Sequence, residues 1–147
     1  MISCEEQKKE DTKKEQAKKE KLERILLNKL TRKGDVMYYK NKLFNGVIFD
    51  IYTNSKLKKE GSYKDGKLVG LWREWYENGQ LHYEGHYKNG KKEGLWRFWR
   101  RDTQLYYETN YKDGKPNGLC KEWDMDGKLK YEWTYKDGKR KDIQIKQ

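Results

Sequence analysis

From residue 36 onward, apolar and polar positions alternate in short runs, and Gly, Asn and Asp punctuate the runs. Alternation with period two is the signature of β-strands with two different faces. The same letters return every 24 residues. Tyr39, Tyr63, Tyr87, Tyr111 and Tyr135 form one series, and Gly46, Gly70, Gly94 and Gly118 another. Trp75, Trp99 and Trp123 recur, as do Leu57, Leu81, Leu105 and Leu129, and Glu60, Glu84, Glu108 and Glu132. The pattern predicts units at 39–62, 63–86, 87–110 and 111–134, with part of a fifth at 135–145.

Each unit holds two strand-length runs, in the second unit Gly70 to Glu77 and Gln80 to Tyr87. Asn78-Gly79 separates them, and Asn89-Gly90 leads to the next unit. Such pairs supply the positive φ values of tight hairpin turns. Lys64-Asp65-Gly66-Lys67, Lys112-Asp113-Gly114-Lys115 and Lys136-Asp137-Gly138-Lys139 repeat the device. The fold class expected is all-β: an elongated, single-layer antiparallel meander of hairpins.

A two-residue turn at Asn78-Gly79 sets the register. Arg73 then faces Glu84, Arg97 faces Glu108 and Lys121 faces Glu132. On the neighbouring row Trp72 faces Gly85, Trp96 faces Thr109 and Cys120 faces Trp133, so a large residue always meets a smaller one. This gives Cys120 a structural role. One face carries Trp72, Tyr76, Leu81, Tyr83 and Tyr87; the other, with Leu71, Arg73, Trp75, His82 and Glu84, is mixed.

The pattern differs near the start. Leu22, Ile25, Leu26 and Leu30 lie on one helical stripe, with Gly34 as a stop. A capping α-helix over 20–33 is expected, blunting the open end of the repeat sheet over 34–147. Before it, residues 1–19 form a charged tail. Residues 5–24 hold 15 charged side chains, 8 basic and 7 acidic, many at i,i+4 spacing, which predicts a solvated helix or a stiff linker.

Composition narrows this picture. Only 33% of the 147 residues are hydrophobic and 40% are charged, yet 14% are aromatic, with six tryptophans and twelve tyrosines. A thin sheet covered by amphipathic rings reconciles these values. The net charge of +11 predicts attraction to polyanions. Two cysteines, one in the tail and one in a strand, argue against a disulfide framework, and no apolar run is long enough to span a bilayer as a helix.

The unit G-L-W-x-x-W-x-x-x-G-x-L-x-Y-E-x-x-Y-K-x-G-K resembles the bacterial variant of the MORN repeat. It reads Gly70-Leu71-Trp72, Trp75, Gly79, Leu81, Tyr83-Glu84, Tyr87-Lys88 and Gly90-Lys91. The resemblance covers roughly 35–145 and implies rows of hairpins with binding or scaffolding roles, often at membranes. Bacterial relatives include YwqK-type antitoxins. The first unit departs with Val47, Ile48 and Ile51, the fourth with Cys120, and the fifth with Asp142 in place of its Gly. Separately, Met1-Ile2-Ser3-Cys4 resembles the end of a lipobox, which implies acylation at Cys4 and a hydrophobic segment upstream of Met1.

Signals for catalysis are weak. His82 and His86, at i,i+4 on a strand, lie about 13 Å apart, too far to share a metal. The glutamates have Arg or Lys partners, and no phosphate-binding loop precedes a helix. The expectation is a protein without enzymatic activity, cofactor or metal. Candidate ligand contacts are Lys64, Lys67, Lys88, Lys91, Lys112, Lys115, Lys136 and Lys139, which regular turns align on one edge about 10 Å apart. Such a ladder suits a polyanion or an anionic membrane, and equally keeps turns soluble and edges from sticking. Nucleic acid is disfavoured, because the rings, Trp72, Trp75, Trp96, Trp99, Trp123 and Trp133 among them, are accounted for by packing.

Three functional readings follow. One is a binding or scaffold module on the cell envelope, tethered through Cys4, with a protein or a surface glycan or lipid as partner. A second is a cytosolic, antitoxin-like interaction module. The third is a polyanion or anionic-membrane binder acting through the lysine edge. Exposed terminal strands leave pairing between copies open.

Overall fold

The structure is a computed structural model that describes residues 23–145. The tail, with Cys4 and Leu22, lies outside the described residues. Strands β1 (Glu23–Leu26), β2 (Thr31–Lys33), β3 (Val36–Tyr39), β4 (Lys42–Leu43) and β5 (Gly46–Ile51) lead into the regular repeats. These are β6 (Leu57–Lys64), β7 (Lys67–Trp75), β8 (Leu81–Lys88), β9 (Lys91–Trp99), β10 (Leu105–Lys112), β11 (Lys115–Trp123), β12 (Leu129–Lys136) and β13 (Lys139–Ile145). Strands β5 to β13 pair in sequence order as an antiparallel meander, as expected of stacked hairpins.

The expected register holds: Trp72 pairs with Gly85, Arg73 with Glu84, Trp96 with Thr109, Arg97 with Glu108, Cys120 with Trp133 and Lys121 with Glu132. The turn behind it is not the one inferred. Tyr76 N–H donates to the Gln80 carbonyl at 2.8 Å, so three residues, not two, loop out. A register shift beside Glu74/Trp75 brings Leu81 opposite Trp75 and absorbs the extra residue, restoring the inferred alignment further along.

One row crosses the sheet, one residue per strand: Ile48, Gly61, Trp72, Gly85, Trp96, Thr109, Cys120, Trp133. Register pairs join its members except at Gly61–Trp72 and Gly85–Trp96, where the ladder shifts and the indole lies against the glycine. Every member is buried, and Ile48, Trp96 and Cys120 are fully so. Rings alternate with gaps. The Trp72 indole lies where a Cβ on Gly61 would stand, and the Trp96 indole where one on Gly85 would stand. Each of these two rings thus fills the space over the strand before it, rather than over the residue it faces in the next, Gly85 for Trp72 and Thr109 for Trp96. In the fourth unit Cys120 Sγ lies 2.7 Å from Thr109 Oγ1, a smaller pair filling the same row. This row is how so polar a sequence obtains a core in one sheet.

Two expectations for the start of the chain are corrected. Residues 23–33 of the expected capping helix form β1, a 3-10 turn at Leu27–Lys29 and β2. Strand β1 joins the large sheet parallel to β5, with Ile25 opposite Ile48. A helix would bury only the Ile25, Leu26 and Leu30 stripe, whereas here Ile25 is buried and Leu27 also packs on the core. Backbone pairing at the open edge outweighs the helical periodicity. The large sheet therefore ends on this four-residue strand in place of a helix.

The second correction concerns the single layer. Strands β2, β3 and β4 form a small separate sheet. Its Met37 and Tyr39 pack with Phe44, Tyr63 and Leu68, giving the first repeats a second layer. Met37 N–H donates to Gly66 O at 2.8 Å, and Gly66 N–H to Phe44 O at 2.9 Å. A Cβ on Gly66 would meet Val36 Cγ1 at 2.5 Å, so a residue chosen for its turn also admits this close approach.

Candidate functional site

The turns carrying the candidate lysines are tight because both central residues take positive φ: 50° and 75° at Asp65-Gly66, 51° and 81° at Asn89-Gly90. Asp113-Gly114 and Asp137-Gly138 repeat these values closely. Each turn is locked to the hairpin before it. Gly90 N–H donates to Leu68 O at 2.8 Å, Gly114 N–H to Lys92 O at 2.9 Å and Gly138 N–H to Pro116 O at 3.0 Å. Side chains add to this, with Asp65 N–H bound by Asn45 Oδ1 at 2.8 Å and Asp113 N–H by Glu93 Oε2 at 3.0 Å.

On this rigid edge the lysines face one another. Lys64 pairs in register with Lys67, Lys88 with Lys91, Lys112 with Lys115 and Lys136 with Lys139. All eight are exposed. Among the described residues, none of the eight lies within ion-pair distance of a carboxylate. Lys91, Lys112, Lys115 and Lys136 line one open cleft of about 620 Å³, with Asp113, Asn117 and Asp137.

Mid-strand charges are arranged the opposite way. Arg73 reaches Glu84 at 3.2 Å and Arg97 reaches Glu108 at 3.8 Å. Lys121, opposite Glu132 in register, instead bonds Glu108 at 3.7 Å, so Glu108 holds two cations.

The other edge carries a device the sequence reading missed. Tyr52 Oη donates to Trp75 O at 2.7 Å and Tyr76 Oη to Trp99 O at 2.8 Å. Arg100 donates to Trp123 O and Asp124 O, both at 2.9 Å. Positions 52, 76 and 100 are 24 apart and all bear long donors, a signal that was present in the sequence. Trp75, Trp99 and Trp123, half-buried, offer their carbonyls here rather than ligand-binding faces.

His82 stacks on Tyr76 with ring centroids 4.3 Å apart, and burial pushes its pKa down. Among the described residues, no group of three or more His, Cys, Asp or Glu is placed to hold a metal ion. Lys92, a cation the sequence reading passed over, sits 4.1 Å from the Trp96 ring centre and 4.8 Å from that of Tyr111. Burial lowers its pKa, and this lysine packs as part of the aromatic face.

Comparison with known proteins matches the MORN repeat variant to residues 44–65, 68–89 and 116–137. Residues between the last two matches form the same kind of hairpin, β9 and β10. No curated protein matches the chain. Among solved structures, the chain is similar to a S. aureus TarM mutant in complex with fondaparinux, alpha-GlcNAc-glycerol and UDP, at 11% identity and a TM-score of 0.41. A second crystal structure of TarM has 9% identity and a TM-score of 0.40. Both alignments cover 89% of this chain but only 23% of the other, so the chain spans about a quarter of their length. The sequence signature, recurring on hairpins of one geometry, decides the family: the chain is a MORN-variant repeat protein.

Proposed function

We propose that this chain is a non-catalytic binding module whose lysine-lined edge docks a linear polyanion. MORN repeats are generally binding modules, which is the starting point. The observation that carries the reading is the facing of like charges at four successive turns. Like charges directly opposite on a ladder destabilise a sheet. In mid-strand the same chain places Arg or Lys beside Glu. A solubilising edge would be served equally well by alternating signs, so four lysine pairs without acidic partners point to an anionic partner that relieves the repulsion.

The lysines follow a line of turns, and four of them share one cleft. A chain of anionic groups fits a line better than a flat membrane does. The test is retention on immobilised heparin. Retention is expected to fall steeply with salt, since exposed charges are screened within about 10 Å at 0.1 M. Replacing Lys91, Lys112, Lys115 and Lys136 together by Gln is expected to shift elution to much lower salt. Retention that ignores salt, or survives those four substitutions, refutes the proposal; binding to anionic vesicles but not to heparin would turn it toward a membrane.

A further inference from the structure

The small sheet leaves a pocket of about 340 Å³ where it meets the first repeats, within the size range of small-ligand sites. We infer that this pocket binds one sulfated or phosphorylated sugar unit, as the specificity site at the end of the lysine edge. The inference rests on the polyanion reading above, because Lys67 and Lys91 belong to both sites.

Three cations converge on it from separate elements: Arg32 from β2, Lys67 from β7 and Lys91 from β9. Arg32 donates from Nε to Gly34 O at 2.8 Å and from Nη2 to Asp35 Oδ1 at 3.5 Å. A guanidinium carries about five N–H donors, so most remain for a ligand, in a fork that matches sulfate or phosphate oxygens. Asp35 is the one acid lining the pocket, and its side chain is 99% exposed. It stands in for the anion rather than sealing the site.

The floor is different in kind. Met37, Tyr63 and Leu68 line it and pack on the hydrophobic core beneath. The Tyr63 hydroxyl is a donor at neutral pH as in any tyrosine, and burial raises its pKa further. An apolar, ring-bearing floor with a hydroxyl, under three cations, suits an anionic group carried on a sugar-sized body better than a bare ion. The walls are firm, because the Met37, Gly66 and Phe44 backbone bonds tie the two sheets together beside it.

The probe is a trisulfated heparin disaccharide, titrated calorimetrically at low salt into the whole chain, with inorganic sulfate as reference. Loss of charge-assisted hydrogen bonds predicts that Arg32→Gln weakens the disaccharide about tenfold or more. Asp35→Asn is expected to tighten it, and Lys136→Gln, at the far end of the edge, to leave it unchanged. The inference is overturned if Lys136→Gln weakens the disaccharide as much as Arg32→Gln does, or if sulfate binds as tightly as the disaccharide. It also falls if the disaccharide fails to bind while heparin is retained, an outcome that leaves the edge proposal standing. Loss of both kinds of binding removes the two together.

Discussion

Substituting Gly85 by Ala tests the buried row directly. An ideal Cβ at residue 85 falls inside the Trp96 indole, which is fully buried and has little space to retreat. Around that ring stand Tyr87 at 5.2 Å, Tyr83 and Tyr111 each at 5.9 Å, and Phe98 at 6.4 Å between ring centres. Lys92 Nζ closes one face at 4.1 Å. Forcing a methyl group into filled space costs about 1–3 kcal/mol. Restricting the unfolded chain by replacing Gly offsets about 0.4–1 kcal/mol. The expected net loss is therefore on the order of 1–2 kcal/mol, read in urea as a lower midpoint with an unchanged slope.

The boundary between the third and fourth units supplies the control, because there Thr109 and Cys120 occupy the positions of Gly85 and Trp96. Trp96→Cys alone leaves a large cavity and is expected to lose about 3–5 kcal/mol. Combined with Gly85→Thr it recreates the later pair, and the double mutant is expected to be more stable than additivity predicts by about 1 kcal/mol or more. An Ala variant as stable as the parent, or strictly additive losses, would refute the packing argument.

Two further predictions address the rest of the sheet. Tyr76→Phe removes the bond to Trp99 O while keeping the stack on His82, and is expected to destabilise by about 0.5–1.5 kcal/mol in the same assay; no change would mean the inter-repeat stitch contributes nothing. Burial pushes the Tyr107 pKa up to about 12 from an ordinary 10.0 and raises those of Tyr63, Tyr83, Tyr87 and Tyr111. A folded-state pKa above the unfolded value means the stabilisation is complete below pH 10 and is lost as pH climbs through the folded value. Alkaline unfolding between about pH 10 and 12 should coincide with the rise in phenolate absorbance. Phenolate appearing at pH 10 on Tyr63, Tyr83, Tyr87, Tyr107 or Tyr111 in a still-folded chain, followed residue by residue by NMR, would contradict the burial of these rings.

The sequence by itself determined the repeat, the strand order, the tight lysine turns and the pairing of Trp72 with Gly85 and Arg73 with Glu84. Those features are local, set by period-two alternation and positive-φ turn residues, although the register inferred from a two-residue turn is reached through a three-residue loop whose extra residue the shift beside Glu74/Trp75 absorbs. It determined less at residues 23–33, where helical spacing and β-branched, strand-compatible residues coexist, and the edge of β5 decides between them. Tertiary structure alone set which strand each indole leans over, moved Lys121 to Glu108, and folded the small sheet onto Gly66. Each of these depends on which surface lies opposite, and that is defined only once the hairpins have stacked.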